Sequence, residues 1–234
     1  MPLLRRFWST DRSLTVLLLL LGVVIFVLPP LGEIHVVGRL LVTLFFSLLL
    51  ISGLTAVAKN ALTTAVTAVV GGLAITILAV RWLRLWFGGA SLGLSDASVS
   101  SLFCIILAAV VLAQVFREGP ITSQRVQGAV AVYLLLGLAW AFAYQAIALR
   151  WPHAFAPAAT ADTNPGENLA SRFMYFSFVT LTTVGYGDIT AVHPVARSLA
   201  TAEALVGQLF PAILLARLVS MELYYRQAKR ADKS

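Results

Sequence analysis

The chain has 234 residues, 59% of them apolar and only 12% charged, whereas roughly a quarter of the residues of a soluble domain are charged. A soluble fold of this size has no interior large enough for that much apolar surface, so a soluble enzyme or binding module is excluded and lipid is the expected solvent. The net charge of +7 would suit a nucleic-acid partner, but its distribution follows a membrane rule instead.

Six apolar stretches read as spanning helices, because about 20 residues at 1.5 Å rise cross a hydrocarbon layer roughly 30 Å thick. They are Leu14–Leu31, Val36–Val57, Leu62–Val80, Ser98–Phe116, Val126–Leu149 and Val195–Ser220. The expected fold is therefore an all-α membrane protein. If the N-terminus lies inside, eleven Lys and Arg residues fall on the inner side, among them Arg5, Arg6, Arg12, Lys59, Arg117, Arg125, Arg217 and the tail from Arg226. Only six, Arg39, Arg81, Arg84, Arg150, Arg172 and Arg197, fall outside. That bias places both termini in the cytoplasm of a multi-pass cell-membrane protein, with the basic tail against anionic lipid headgroups and no nucleic acid involved. Arg5 and Arg6 precede a Leu-rich run as in a signal peptide, but no small-residue cleavage pattern precedes Pro29-Pro30, so an uncleaved anchor helix is expected. Cys104 is the single cysteine and reads as packing.

The chain divides into unlike parts. Residues 1–120 form a four-helix membrane domain with short connections: Pro29-Pro30 ends the first helix, Lys59-Asn60 marks an inner turn, and Gly88-Gly89-Ala90-Ser91 opens an outer loop. Residues 121–225 read as helix, outer loop, half-length helix, Gly-rich segment and final helix. The outer loop over Ala154–Gly166, rich in Ala and Pro, reads as flexible and without chemistry of its own. Residues 226–234 form the basic tail, which leaves no room for a cytoplasmic ligand-binding domain.

Function concentrates between the last two helices. Glu167 to Leu181 is too short to cross a membrane and suits a re-entrant helix starting near Asn168. It is followed by Thr182-Thr183-Val184-Gly185-Tyr186-Gly187-Asp188. Irregular backbone survives at membrane depth only inside protein or beside water, so this stretch must line a cavity. In an ordinary strand successive carbonyls alternate sides; aiming consecutive ones at one axis requires alternate residues with positive φ. Glycine adopts that conformation at little cost, and Gly185 and Gly187 stand two apart. Val184 and Tyr186 then turn away into surrounding protein. Carbonyls of Thr183, Val184, Gly185 and Tyr186, with the Thr183 hydroxyl, can replace the water shell of a cation and still release it.

This heptapeptide resembles the selectivity filter of potassium channels. A short aromatic-rich helix before it and a spanning helix with a midway glycine after it extend the resemblance over about Val126–Ser220. The first four helices match only the general six-helix channel layout. The resemblance implies a non-enzymatic, potassium-selective pore in which K+ is the permeant ion, bound by Thr183, Val184, Gly185, Tyr186 and Gly187, with no cofactor. It also implies four identical chains around one axis, with the re-entrant helix aiming its partly negative C-terminus at the central cavity. Non-selective conduction would disagree with the intact Tyr186 and Gly187. A membrane enzyme would need a nucleophile–base pair, metal motif or phosphate loop, none of which the sequence contains. A potassium transporter would carry several degenerate pore loops, and here there is one.

Counting back from the filter, the resemblance places Tyr175 and Phe176 at the family's aromatic pair and makes Tyr175 a donor to Asp188, anchoring the filter's outer end with Thr182 at its base. The other reading of Asp188 is a solvated charge that concentrates cations. Val179 stands where some family members have a second acidic anchor. Glu203 has two open readings: a brace that accepts from Ser177, Thr180 or Thr182 behind the re-entrant helix, or a group near the interface, or protonated, without effect on conduction. Gly207 follows Asp188 at the family's hinge-glycine interval, and Pro211 removes a hydrogen bond one turn on. The pair reads as a gating hinge or as a fixed kink. The fourth helix carries no arginine series, and Arg81 and Arg84 beside Trp82 and Trp86 read as interfacial anchors, so strong voltage gating is not expected. His35, His153 and His193 are isolated; His193, just past the filter, reads as exposed or as tuning conduction with external pH.

Overall fold

A computed structural model of the chain describes residues 10–27, 71–80, 83, 90–116, 122–157 and 169–231. The expected span Val36–Val57, the outer end of Leu14–Leu31, the first half of Leu62–Val80, and Arg81, Arg84 and His35 lie outside the described residues. In chain order the described elements are α1 (Thr10–Gly22), continued by a π-helical turn at Val23–Val27, and α2 (Gly71–Val80). Then come α3 (Ala90–Val115), α4 (Ser123–Arg150), β1 (Phe155–Pro157), α5 (Leu169–Leu181), β2 (Ile189–Ala191) and α6 (Pro194–Ala231).

Among the described residues three helical stretches are long and apolar enough to cross a membrane: Gly93–Val115, Ser123–Arg150 and Pro194–Met221. They correspond to the last three of the six expected spans. Ala90 and Ser91 belong to α3 and not to an outer loop as the Gly-Gly signal suggested. Alanine is the strongest helix former, and the helix of the apolar run that follows extends back to it.

The core of the membrane part is the α3–α4 pair. Phe103, Cys104, Leu107, Val111 and Val115 recur at three- and four-residue intervals and are buried, as a helix face requires. The buried positions of α4 are rich in small residues, Gly128, Ala129, Ala131, Gly137, Ala139 and Ala141 among them. Small residues let helix backbones approach where lipid gives no hydrophobic drive for association. That approach lets the buried Ser101 hydroxyl donate to the Ala139 carbonyl at 2.9 Å. α1 joins the same cluster through Leu17 and Leu21, and Thr15 Oγ1 donates to Gln127 Oε1 of α4 at 2.9 Å. A second, aromatic cluster of Tyr144, Phe155, Phe173 and Phe176 surrounds Ala196 where α4, α5 and α6 converge.

The outer loop is not uniformly free. Phe155–Pro157 pairs antiparallel with Ile189–Ala191, in the register Phe155↔Ala191, Ala156↔Thr190 and Pro157↔Ile189. The Ala-Pro composition that suggested a flexible segment overlooked Phe155, which packs edge-on against Tyr144 and Phe176. This short ribbon fixes the chain directly after Asp188 to the end of α4. α6 then begins at Pro194, a residue suited to the first helical position because its missing N–H would be unsatisfied there. His193 Nδ1 accepts from the Val195 amide at 3.3 Å, and its ring stacks on Trp151 at 4.7 Å. At 38 residues α6 is roughly 57 Å long and extends past a single hydrocarbon layer.

Candidate functional site

α5 supplies the support. Its 13 residues reach roughly 20 Å, too short to cross a bilayer. Phe173, Phe176, Ser177 and Leu181 form its buried face, at the spacing of one helix stripe. The helix ends where hydroxyls and amides turn back on its own carbonyls. Thr180 Oγ1 donates to Phe176 O at 2.8 Å and Thr182 Oγ1 to Phe178 O at 2.6 Å. The Thr182 amide also donates to Phe178 O, the Thr183 amide to Thr180 O, and the Val184 and Gly185 amides both reach Val179 O. These bonds occupy carbonyls that a helix end otherwise leaves open.

From there the backbone alternates in hand. Thr183, Gly185 and Gly187 have φ of 59°, 57° and 78°, the alternation that a row of carbonyls along one side requires. Thr183 is the non-glycine member of the set. A β-branched residue in the left-handed region is a genuine outlier and costs on the order of 1–3 kcal/mol. Val184 and Tyr186, between the positive-φ residues, are 53% and 72% exposed in the single chain.

The far end of the strand is held by Asp188. Its Oδ1 accepts from the Ile189 amide at 3.0 Å, and its Oδ2 accepts from the Tyr175 hydroxyl at 2.7 Å. The structure thus brings together Tyr175 and Asp188, thirteen residues apart. Phe176 points the other way, into the aromatic cluster, 5.0 Å from the Tyr144 ring centroid.

Behind α5 lies Glu203, fully buried on α6. A carboxylate in a spanning helix costs about 2.5–3.5 kcal/mol on insertion scales and is tolerated where protein surrounds it. Ser177 Oγ stands 2.5 Å from Glu203 Oε1, and the Tyr144 hydroxyl stands 2.6 Å from Oε2. Of the three candidate partners read from the sequence only Ser177 reaches the carboxyl; the Thr180 and Thr182 hydroxyls are taken by their own helix, the usual habit of Thr in apolar helices. Tyr144 was not anticipated. Its signal was present, since a tyrosine midway along an apolar span needs a partner for its hydroxyl. Tyr133, also in α4, answers to the same rule and donates to Leu181 O at 3.3 Å.

Two glycines set how closely the three helices meet. A methyl group on Gly137 would lie 2.6 Å from the Phe178 ring, and one on Gly207 would lie 1.8 Å from the Leu181 carbonyl oxygen. Gly207 therefore marks the place where α6 backbone touches the last turn of α5, a role that the hinge reading did not include. Pro211 lies inside the same continuous helix one turn later.

The comparisons fall on these same elements. Residues 130–223 match the model of a family described as ion channel, a match that begins inside α4 and ends inside α6. A segment of 87 residues is 36% identical to Protein LctB of Bacillus caldotenax, covering 37% of this chain and 64% of that protein. A segment of 86 residues is 35% identical to Protein LctB of Geobacillus stearothermophilus, covering 37% of this chain and 62% of that protein. The chain thus spans less than two thirds of the length of these curated relatives. No solved structure matches. The family match takes in α4, α5, the alternating strand and most of α6, and it supports an ion channel built from them.

Proposed function

We propose that this chain is one subunit of a homotetrameric, potassium-selective channel that passes K+ through a filter formed by Thr183, Val184, Gly185, Tyr186 and Gly187. The observation that carries the reading is the alternation of positive φ at Thr183, Gly185 and Gly187 in a strand poised on the C-terminus of a half-length helix. Uncharged carbonyls along one side of such a strand replace hydration without trapping the ion.

One chain contributes one strand, and a dehydrated cation needs oxygens all round. Four chains about one axis supply them. The exposed side chains of Val184 and Tyr186, and the exposed apolar residues Leu205, Leu209, Ile213 and Leu215 of α6, fit surfaces covered by neighbouring copies and lipid. The unit that conducts is residues 121–225. Residues 1–120 form a four-helix membrane domain whose last helix, α3, packs on α4, and the basic tail meets lipid headgroups in the cytoplasm.

Reversal potentials under bi-ionic K+ and Na+ gradients, recorded from the purified protein in planar bilayers, test the reading. A strong preference for K+ is expected, degraded by Val184→Ala or Gly185→Ala. Near-equal permeability of the two ions overturns it.

A further inference from the structure

Glu203 joins three elements, and a count of protons at this junction specifies its state. Three short oxygen–oxygen contacts meet there: Tyr144 Oη to Glu203 Oε2 at 2.6 Å, Ser177 Oγ to Glu203 Oε1 at 2.5 Å, and Ser177 Oγ to Gly137 O at 2.7 Å. Each contact needs one hydrogen between its oxygens. The two hydroxyls supply two, one each. The Gly137 carbonyl can only accept, so the Ser177 proton is committed to it and the Tyr144 proton to Oε2. The contact between Ser177 and Oε1 lacks a hydrogen unless the carboxyl provides it.

We propose that Glu203 is held as the neutral carboxylic acid and donates its own proton to Ser177 Oγ, so that it acts as a two-sided strut: it accepts from Tyr144 of α4 and donates to Ser177 of α5. Ser177 in turn passes its proton to the Gly137 carbonyl, which closes a chain running α4–α6–α5–α4. A carboxylate at the same place would draw the Ser177 hydroxyl toward itself and leave the Gly137 carbonyl facing an oxygen without a hydrogen. The surroundings agree. Glu203, Ser177 and Tyr144 are all fully buried, and among the described residues no Lys, Arg or His bonds to the carboxyl. The titratable groups that bear on it are Tyr144 and Tyr133, both from α4. α5 presents Ser177 as its polar group at this point. Glu203 is thus a positioning residue: it touches no ion, and it fixes α5, on which the filter stands.

The pattern of one acceptor and one donor is the pattern of a primary amide, and that makes the inference testable. The conduction arm rests on the channel reading, whereas the spectroscopic arm does not. Infrared difference spectra of the purified full chain in lipid, wild type against Glu203→Gln, should show a protonated-carboxyl stretch at neutral pH that is lost in the variant. Glu203→Gln should conduct K+ within about twofold of wild type, because the buried hydrogen bonds are preserved. Glu203→Leu should lose conduction by about tenfold or more, the counterpart of leaving buried partners unpaired. On alkalinisation the wild-type current should fall while that of Glu203→Gln stays level. Absence of the protonated-carboxyl band in the wild type, or its persistence in Glu203→Gln, overturns the proposal whatever the currents do. So does a glutamine variant as impaired as the leucine one while both assemble like wild type. A band that behaves as expected in a protein that passes no K+ would leave the neutral strut standing and defeat the channel reading alone.

Discussion

At the scale of single residues, Tyr175 and Asp188 hold the C-terminal end of the proposed filter. The hydroxyl of one and the carboxylate of the other stand 2.7 Å apart, and the same carboxylate holds the Ile189 amide. A hydrogen bond to a charged group contributes about 1.5–3 kcal/mol, comparable with the roughly 1–3 kcal/mol cost of a strained residue at positive φ. Tyr175→Phe removes the donor and keeps the ring, so the filter should leave its conducting form more readily. Single-channel records should show shorter openings or faster inactivation in Tyr175→Phe and in Asp188→Asn, and unchanged kinetics in both would reject the anchor. This contact was legible in the sequence because the resemblance to potassium channels implies an aromatic donor at Tyr175 for an acidic residue at Asp188. The Glu203 junction was only half legible. Ser177 lies at a countable position behind the filter, whereas Tyr144 comes from a helix whose rotation about its own axis no spacing specifies.

Between elements, the decisive contacts involve residues with no side chain. Alanine is worth about 1 kcal/mol more than glycine in a helix interior, so Gly207→Ala would stabilise α6 in isolation. The structure reverses the sign: the new methyl would lie 1.8 Å from the Leu181 oxygen, against backbone that cannot swing aside. Gly207→Ala should therefore separate α6 from α5 and reduce assembled, conducting protein several-fold, read from detergent-resistant oligomer and current together; full assembly with normal conduction would show the contact to be dispensable. Gly137→Ala meets the Phe178 ring at 2.6 Å, a side chain with some freedom to move, and should be milder. The sequence offered Gly207 as a bend, because a lone glycine in a helix advertises weakness and does not say what backbone lies beside it. The proposed hinge is better probed at Pro211, which is exposed and can gain an amide without collision. Pro211→Ala restores a donor to the Gly207 carbonyl and removes the ring that crowds it. Open probability should shift strongly in that variant while ion selectivity stays; wild-type gating would leave the proline as a fixed kink and move the gate toward the filter. The C-terminal half of α6 is also held from the side, where the Arg217 guanidinium lies 4.9 Å from the Phe116 ring just beyond α3, so a bend at Pro211 must carry or break this cation–π contact.

For the whole molecule, the sequence made the layout of α3 to α6 legible through hydropathy and the filter motif, since lipid demands long apolar helices and permits irregular backbone only beside a cavity. It missed the β1–β2 ribbon, three residues per strand being too short for a periodicity to register. The remaining question at this scale is whether the part of the chain before α4 senses voltage. One elementary charge crossing the full field gains roughly 2.3 kcal/mol per 100 mV, and steep gating uses about three or four in each subunit. α3 corresponds to the fourth of the spans expected from hydropathy, and over Ala90–Val115 its single charged residue is Asp96, which is buried. Even a full traverse by Asp96 would supply about a third of the charge that steep gating requires. In the sequence Arg81 and Arg84 have sensor spacing, but Trp82 and Trp86 neighbour them, the composition expected of an interfacial anchor. Macroscopic conductance should accordingly change shallowly with voltage, and the Arg81→Gln/Arg84→Gln double variant should leave that slope unaltered while weakening membrane insertion or assembly. A steep conductance–voltage curve that flattens in the double variant would transfer the sensing role to those arginines, and the N-terminal helices would then drive the pore through contacts such as Thr15 on Gln127, Ser101 on Ala139 and Phe116 on Arg217.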